Sequence, residues 1–170
     1  MAREGANGSF LFLENELGEY LFQIMGRNYP NDGQIFGLGG RENPGEAPQE
    51  TAARETAQES GLIVSPHNIR WFGAAAQAPK GQAFLNYAAE YEGVMRTDAD
   101  REIAKRLWMS PLVLQRNRHK VHRPALYLFI LFLRWKRGLE PTPCTGRISK
   151  SIVWPHIDEE EPFVLPAKGP

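Results

Sequence analysis

The chain has 170 residues, 42% of them apolar and 24% charged, with a formal net charge of zero. That is enough for one domain with a real core and short for two, and it excludes disorder as the default. A single cysteine, Cys144, excludes an internal disulfide and fits a reducing, cytoplasmic compartment.

The N-terminal stretch "MAREGANGSFLFLENE" lacks the long apolar core of a secretory signal. "GSFLFLE", Gly8 to Glu14, alternates aromatic residues with Leu and reads as a buried strand. "NELG" reads as a turn, and "EYLFQIM", Glu19 to Met25, as the second strand of a hairpin-like pair. "GRNYPNDG" is a loop sequence, rich in Gly, Asn and Pro. A helix is expected from about Pro48 to Ser60. Pro48 suits the first turn, where a missing N–H costs nothing, and Gly61 suits the stop. Ala52, Ala53 and Thr56 give that helix a small-residue face for close packing on a sheet.

"IRWFGAAAQA" and "AFLNYAAEYEG" read as two more strands with a turn at "PKG". "DADREIAKRLWMSPLVLQ" suggests a loop, a short strand around Leu107–Trp108 and a turn at Ser110–Pro111. "HRPALYLFILFLRWKRG" is expected to be a second helix, with Pro124 near its start and Gly138 just past its end. Its apolar run, Ala125 to Leu133, is far below the ~20 residues that span a bilayer. A buried helix is the first reading. A membrane-surface helix is the alternative, because Arg134, Lys136 and Arg137 follow directly. No internal repeat is present. The last 32 residues carry 6 of the 13 prolines and the acidic run "DEEE". The expected organisation is a domain over 1–138 and a Pro-rich tail or arm over 139–170. The tail is either a flexible extension or an ordered arm over a neighbouring surface or a second subunit of a homodimer. The ordered reading draws on Ile152, Val153, Trp154, Phe163, Val164 and Leu165.

Charge is unevenly placed. Residues 1–100 hold 7 Lys/Arg and 14 Asp/Glu, whereas residues 101–137 hold 10 Lys/Arg and one acid, Glu102. The acidic part can recruit metal ions, and the basic part can face a polyanion such as RNA.

The stretch "GGRENPGEAPQETAARETAQESGL", Gly39 to Leu62, carries the chemistry. On the expected helix, Glu55 and Glu59 are four apart and share a face, with Gln58 beside them. Arg54 can pair with an acid arriving from the loop, such as Glu46. Like charges at this spacing repel, and a divalent cation offsets that well. Mg²⁺ and Mn²⁺ prefer such oxygen ligands. The Gly39-Gly40 turn lets the backbone come close, so a main-chain carbonyl can add a ligand. The other reading of the same residues is a solvated helix face.

The spacing resembles the Nudix hydrolase signature, G-x5-E-x7-R-E-U-x-E-E-x-G-U, where U is a bulky apolar residue. Gly40, Glu46, Arg54, Glu55, Glu59, Gly61 and Leu62 fall at its intervals, so seven of nine fixed positions match. Thr56 replaces an apolar residue, and Gln58 replaces the first Glu of the Glu-Glu pair. The resemblance implies an α/β/α sandwich with a mixed sheet, from residue 8 to about 138. It also implies water attack on a diphosphate linkage in a nucleoside triphosphate or other nucleoside diphosphate derivative. Under it, Glu55 and Glu59 would be metal ligands, Gln58 a weakened one and the Gly39 carbonyl another, holding Mg²⁺ or Mn²⁺. Arg54 would orient Glu46 or Glu55. Glu102, six residues before Trp108, would be a further ligand or base, or else a surface partner of Arg101, Lys105 or Arg106. Arg41 would lie near phosphates, with Arg27 and Phe36 as further candidate substrate contacts.

A Gln oxygen can ligate, but it adds no charge and cannot act as a base. Gln58 therefore leaves three readings: an enzyme working with fewer carboxylates, a binding module that has lost activity, or an introduced Glu→Gln change. The variant "GLGGR…QESGL" is similar to the "GFGGK…ESGL" pattern of oxidised purine nucleoside triphosphatases. The basic run "RNRHKVHR", Arg116 to Arg123, is either a solvated surface or a phosphate contact for a nucleotide or an RNA 5′ end. His119 and His122 have no partner at a zinc-like spacing.

Overall fold

A strand that is apolar on both faces needs cover on both. In β1 (Gly8–Leu13), Leu11, Phe12 and Leu13 are all buried, so the strand must lie inside a sheet. The computed structural model describes residues 7–26, 33–77, 81–99, 102–138 and 147–148. The expectations for Arg27, Cys144 and the tail past Ile148 lie outside these residues.

β1 sits between β4 (Leu38–Arg41), antiparallel to it, and β6 (Gln82–Ala88), parallel to it. β5 (Arg70–Gln77) continues the sheet antiparallel to β6, and β8 (Arg147–Ile148) adds a short parallel edge at Ala76–Gln77. The result is a mixed five-stranded sheet of order β4-β1-β6-β5-β8. A second, antiparallel sheet holds β2 (Tyr20–Met25) between β3 (Ile35–Phe36) and β7 (Ile103–Met109).

The expected pairing of the first two strands is corrected here. β1 and β2 belong to different sheets and touch through one bridge, Glu14 to Tyr20. Both are densely apolar, and each takes an interior position in its own sheet instead of pairing in a shared hairpin. β7 is also longer than the stretch around Leu107–Trp108. Ser110–Pro111 does not make a turn. It opens α2 (Pro111–Arg116), where the Ser110 hydroxyl accepts the Val113 N–H at 3.2 Å.

α1 (Pro48–Ser60) has the expected bounds. Pro48 stands in the first turn, and the Glu50 carboxylate accepts the Ala47 N–H at 2.8 Å. Gly61 closes the helix at φ 79°, a left-handed cap that favours glycine. Buried Thr51, Ala52, Thr56 and Ser60 lay α1 on β1 and β4, over a cluster that includes Leu11, Leu13, Leu38 and Leu62.

α3 (Arg123–Lys136) is buried continuously from Tyr127 to Leu133. Phe132 stacks on Phe12 with ring centroids 4.5 Å apart, and Phe129 meets Tyr20 and Phe22 edge-on. Its apolar run is thus core, as first read, and no helix among the described residues is long and apolar enough to cross a membrane. Lys136 ties its end down by donating to Glu14 and, at 2.9 Å, to the Tyr20 hydroxyl.

Candidate active site

Two glycines and two carboxylates meet where β4 passes under α1. Gly39 has φ 150°, and a Cβ there would lie 2.5 Å from the Ser9 carbonyl oxygen. A Cβ on Gly40 would collide with the Glu55 carboxylate. The glycines therefore let the strand come close enough for the carboxylates of α1 to rest against its backbone. Gly39 meets the site through its amide, which donates to Glu59 Oε2 at 3.1 Å.

Arg54 organises the acids around it. Its Nε donates to Glu46 Oε1 at 2.8 Å and its Nη2 to Glu46 Oε2 at 2.9 Å, a two-pronged pair. Nη1 reaches Glu55 Oε1 at 2.5 Å and, at 3.4 Å, Gln58 Oε1. Nη2 also holds the Arg41 carbonyl at 2.8 Å. Arg54 thus orients both acids named for it. Glu46 further accepts the Asn43 N–H and the Thr51 hydroxyl. The Arg54 hydrogen bonds are the main cause holding the Glu46 carboxyl down at about 2.

Glu59 is in the opposite condition. Burial pushes its carboxyl up to about 8, against the Gly39 amide and the Gln23 side chain, with Glu55 and Glu102 adding repulsion. Burial is the main cause, and the two other acids add to the cost of ionising Glu59. Glu102 itself is exposed at the start of β7, where its carbonyl accepts the Gly26 N–H at 2.7 Å.

Among the described residues, no three His, Cys, Asp or Glu side chains stand close enough to form a closed metal cage. Glu55, Glu59 and the Gln58 amide oxygen offer an open, oxygen-only set. Such a set fits a hydrated Mg²⁺ or Mn²⁺ that also takes substrate oxygens.

The candidate substrate contacts are less converged. Arg41 is exposed at the end of β4, beside Arg54. Phe36 is half-buried and stacks on His122 at 4.2 Å, so one ring face is already occupied. Burial lowers the His122 pKa, which keeps that partner neutral. Phe22 is core, and Trp108 stacks on Tyr91. A separate cleft, lined in part by Asn15, Leu17, Ile63 and Tyr91, shares no residue with the carboxylate cluster.

Sequence reasoning missed four residues that shape the site. Ser9 donates to the Pro48 carbonyl at 2.6 Å and accepts from Asn86, pinning the start of α1. Arg106 meets its far end at the Glu59 carbonyl, and Gln23 donates to the Gly37 carbonyl at 3.0 Å. The signal available was a polar residue inside an apolar strand: Gln23 alone in "YLFQIM", and Arg106 after Lys105 in "IAKRLWM".

The NUDIX domain family model matches residues 7–129. Solved structures with the same fold include a MutT protein from Bacillus halodurans, 17% identical, with a TM-score of 0.63 over 86% of this chain and 92% of that one. A MutT protein from Methanosarcina mazei is 20% identical, with a TM-score of 0.64 over 81% and 99%. A MutT Nudix hydrolase from Burkholderia pseudomallei is 14% identical, with a TM-score of 0.62 over 74% and 96%. At these identities the likeness is one of fold, and the family assignment rests on the match over 7–129. With the signature's acids gathered on its glycine turn, the chain belongs to the Nudix family of pyrophosphohydrolases.

Proposed function

We propose that the protein hydrolyses a diphosphate linkage in a nucleoside triphosphate or related nucleoside diphosphate derivative, with Mg²⁺ or Mn²⁺. One observation carries this: Glu55 and Glu59 converge on Gly39 and Gly40 while Arg54 fixes Glu46 and Glu55. Glu55, Glu59 and the Gln58 oxygen would hold the cation. When bound, it supplies charge neutralisation on the phosphoryl oxygens and the leaving group and lowers the pKa of the attacking water. Water adds to phosphorus, the bridging P–O bond breaks, and Glu102 or Glu59 takes the proton. Arg41, on the rim, would meet phosphate oxygens. The box variant "GLGGR…QESGL" favours a nucleoside triphosphate.

The second reading is an RNA 5′-end pyrophosphohydrolase. It is favoured by the basic run Arg116–Arg123, whose end joins β3, just before β4 in the chain: Val121 bridges to Ile35, and the His122 N–H donates to the Ile35 carbonyl at 2.9 Å. A panel of normal and oxidised nucleoside triphosphates, nucleoside diphosphate sugars, ADP-ribose and 5′-triphosphate RNA, with Mg²⁺, Mn²⁺ or chelator, separates them. Chelator-sensitive release from one nucleotide class is expected. Turnover of RNA alone, with a steep salt dependence, would replace the first reading by the second. Metal binding with no turnover would make the chain a nucleotide-binding module disabled at Gln58.

A further inference from the structure

Two buried polar side chains stand opposite each other in the ladder between β2 and β7. Gln23 is 4% exposed and Arg106 is 6% exposed, and the two are register partners. A fold that needed only packing here would obtain it more cheaply from apolar side chains, because a buried guanidinium is costly to desolvate. Arg106 faces the last turn of α1. Arg106 Nε donates to the Glu59 carbonyl, and its Nη1 donates to the Asp98 carbonyl at 2.7 Å. A cation is favourable at that end of a helix, where carbonyls lack intrahelical partners. Gln23 Nε2 donates to the Gly37 carbonyl at 3.0 Å, two residues before the Gly39 amide that donates to the Glu59 carboxylate. Glu59 is therefore held at its backbone by β7 and at its carboxylate by the Gly39 amide, on a segment that β2 ties down through Gln23 and Gly37.

We propose that Gln23 and Arg106 form a clamp that fixes Glu59 against the Gly37–Gly40 strand, and that both are positioning residues for the hydrolytic site. The clamp also holds the Asp98 backbone, so the loop leading toward Glu102 is tied to the same helix end. Its effect on turnover rests on the hydrolase reading above. The placement of Glu59 does not.

The test uses the full chain with Gln23→Met and Arg106→Met, which keep bulk and remove the hydrogen bonds. In metal-free protein, amide hydrogen exchange at Gly39 reports whether Glu59 stays in place, because that amide donates to it. Gly39 is expected to lose protection about tenfold in each variant while α3 amides such as Phe129 keep theirs. Affinity for Mn²⁺ alone, read by electron paramagnetic resonance, is expected to weaken about tenfold. With the best substrate of the panel, kcat should fall and KM should hold, and free guanidinium should partly restore Arg106→Met.

Unchanged Gly39 exchange with unchanged Mn²⁺ affinity would overturn the proposal. So would equal loss of protection at Gly39 and Phe129, since the pair would then serve only the fold. If Arg106→Met does not fold, Arg106→Lys and Gln23→Met carry the same readouts. A wild-type chain that turns over no member of the panel sinks the hydrolase reading, and Gly39 exchange still decides the clamp.

Discussion

Arg54 shows how much one side chain can arrange. Its fork satisfies both oxygens of Glu46, one of Glu55 and a loop carbonyl. Lysine is a single point charge and cannot hold that set. Arg54→Lys is expected to lower kcat at least about tenfold through loss of carboxylate placement, with the folded structure retained. A stability signature accompanies it. The Glu46 pKa is depressed to about 2, so its contribution is present above the unfolded value near 4.5 and is lost as pH falls through about 2. Acid titrations of stability between pH 4.5 and 2 should be flatter in Arg54→Lys than in the native chain. Gln58 is the other residue to decide. Its side chain is exposed and only 3.4 Å from Arg54, so a carboxylate there fits without repacking and meets a cation. Gln58→Glu is expected to raise Mn²⁺ affinity and turnover by about tenfold or more. Equal values for both chains would show that the missing charge is immaterial. That Glu55 and Glu59 share a face was legible from spacing, because a helix puts residues four apart on one side, while their role came from the resemblance to the Nudix signature. Gln23 and Arg106 were not, because their partners lie on other elements, far away in sequence.

At the scale of elements, the close approach of β4 to α1 is what the glycines provide. Gly40→Ala must displace the Glu55 carboxylate, and it is expected to cost about a hundredfold in turnover from that shift. A Gly40→Ala chain of normal activity would remove Glu55 from the reaction. The two helices show why some elements could be read and others not. α1 carries its own boundaries, Pro48 at one end and Gly61 at the other, and α3 carries an unbroken apolar run between Pro124 and Gly138. α2 is only six residues long, and its Ser-Pro start is equally a turn signal. Strand partners are a different problem. "SFLFL" and "YLFQIM" state that they are buried, but nothing local states which strand each will pair with. Proximity in sequence suggested a hairpin, whereas the chain changes sheets between Glu14 and Tyr20.

For the whole molecule, folding places a carboxylate where ionising it is unfavourable, and that links stability, pH and metal. Metal-free, Glu59 has its pKa raised to about 8, so the folded state holds a proton that the unfolded chain releases near 4.5. A raised carboxylate pKa destabilises the folded state as pH rises between those values. A divalent cation competes with that proton and supplies the missing countercharge, so its stabilising effect should grow over the same interval. The melting temperature is therefore expected to rise more on adding Mn²⁺ at pH 8 than at pH 5, with metal-free stability falling from pH 5 to pH 8. Glu59→Gln removes the titrating group. It should abolish the pH dependence of the metal effect and all metal-stimulated turnover, while keeping the fold and the α3 core. A Glu59→Gln chain whose Mn²⁺ stabilisation still grows with pH would show that another carboxylate holds the cation. Glu55 and Glu102, the two acids that raise Glu59, would then be the groups to change next.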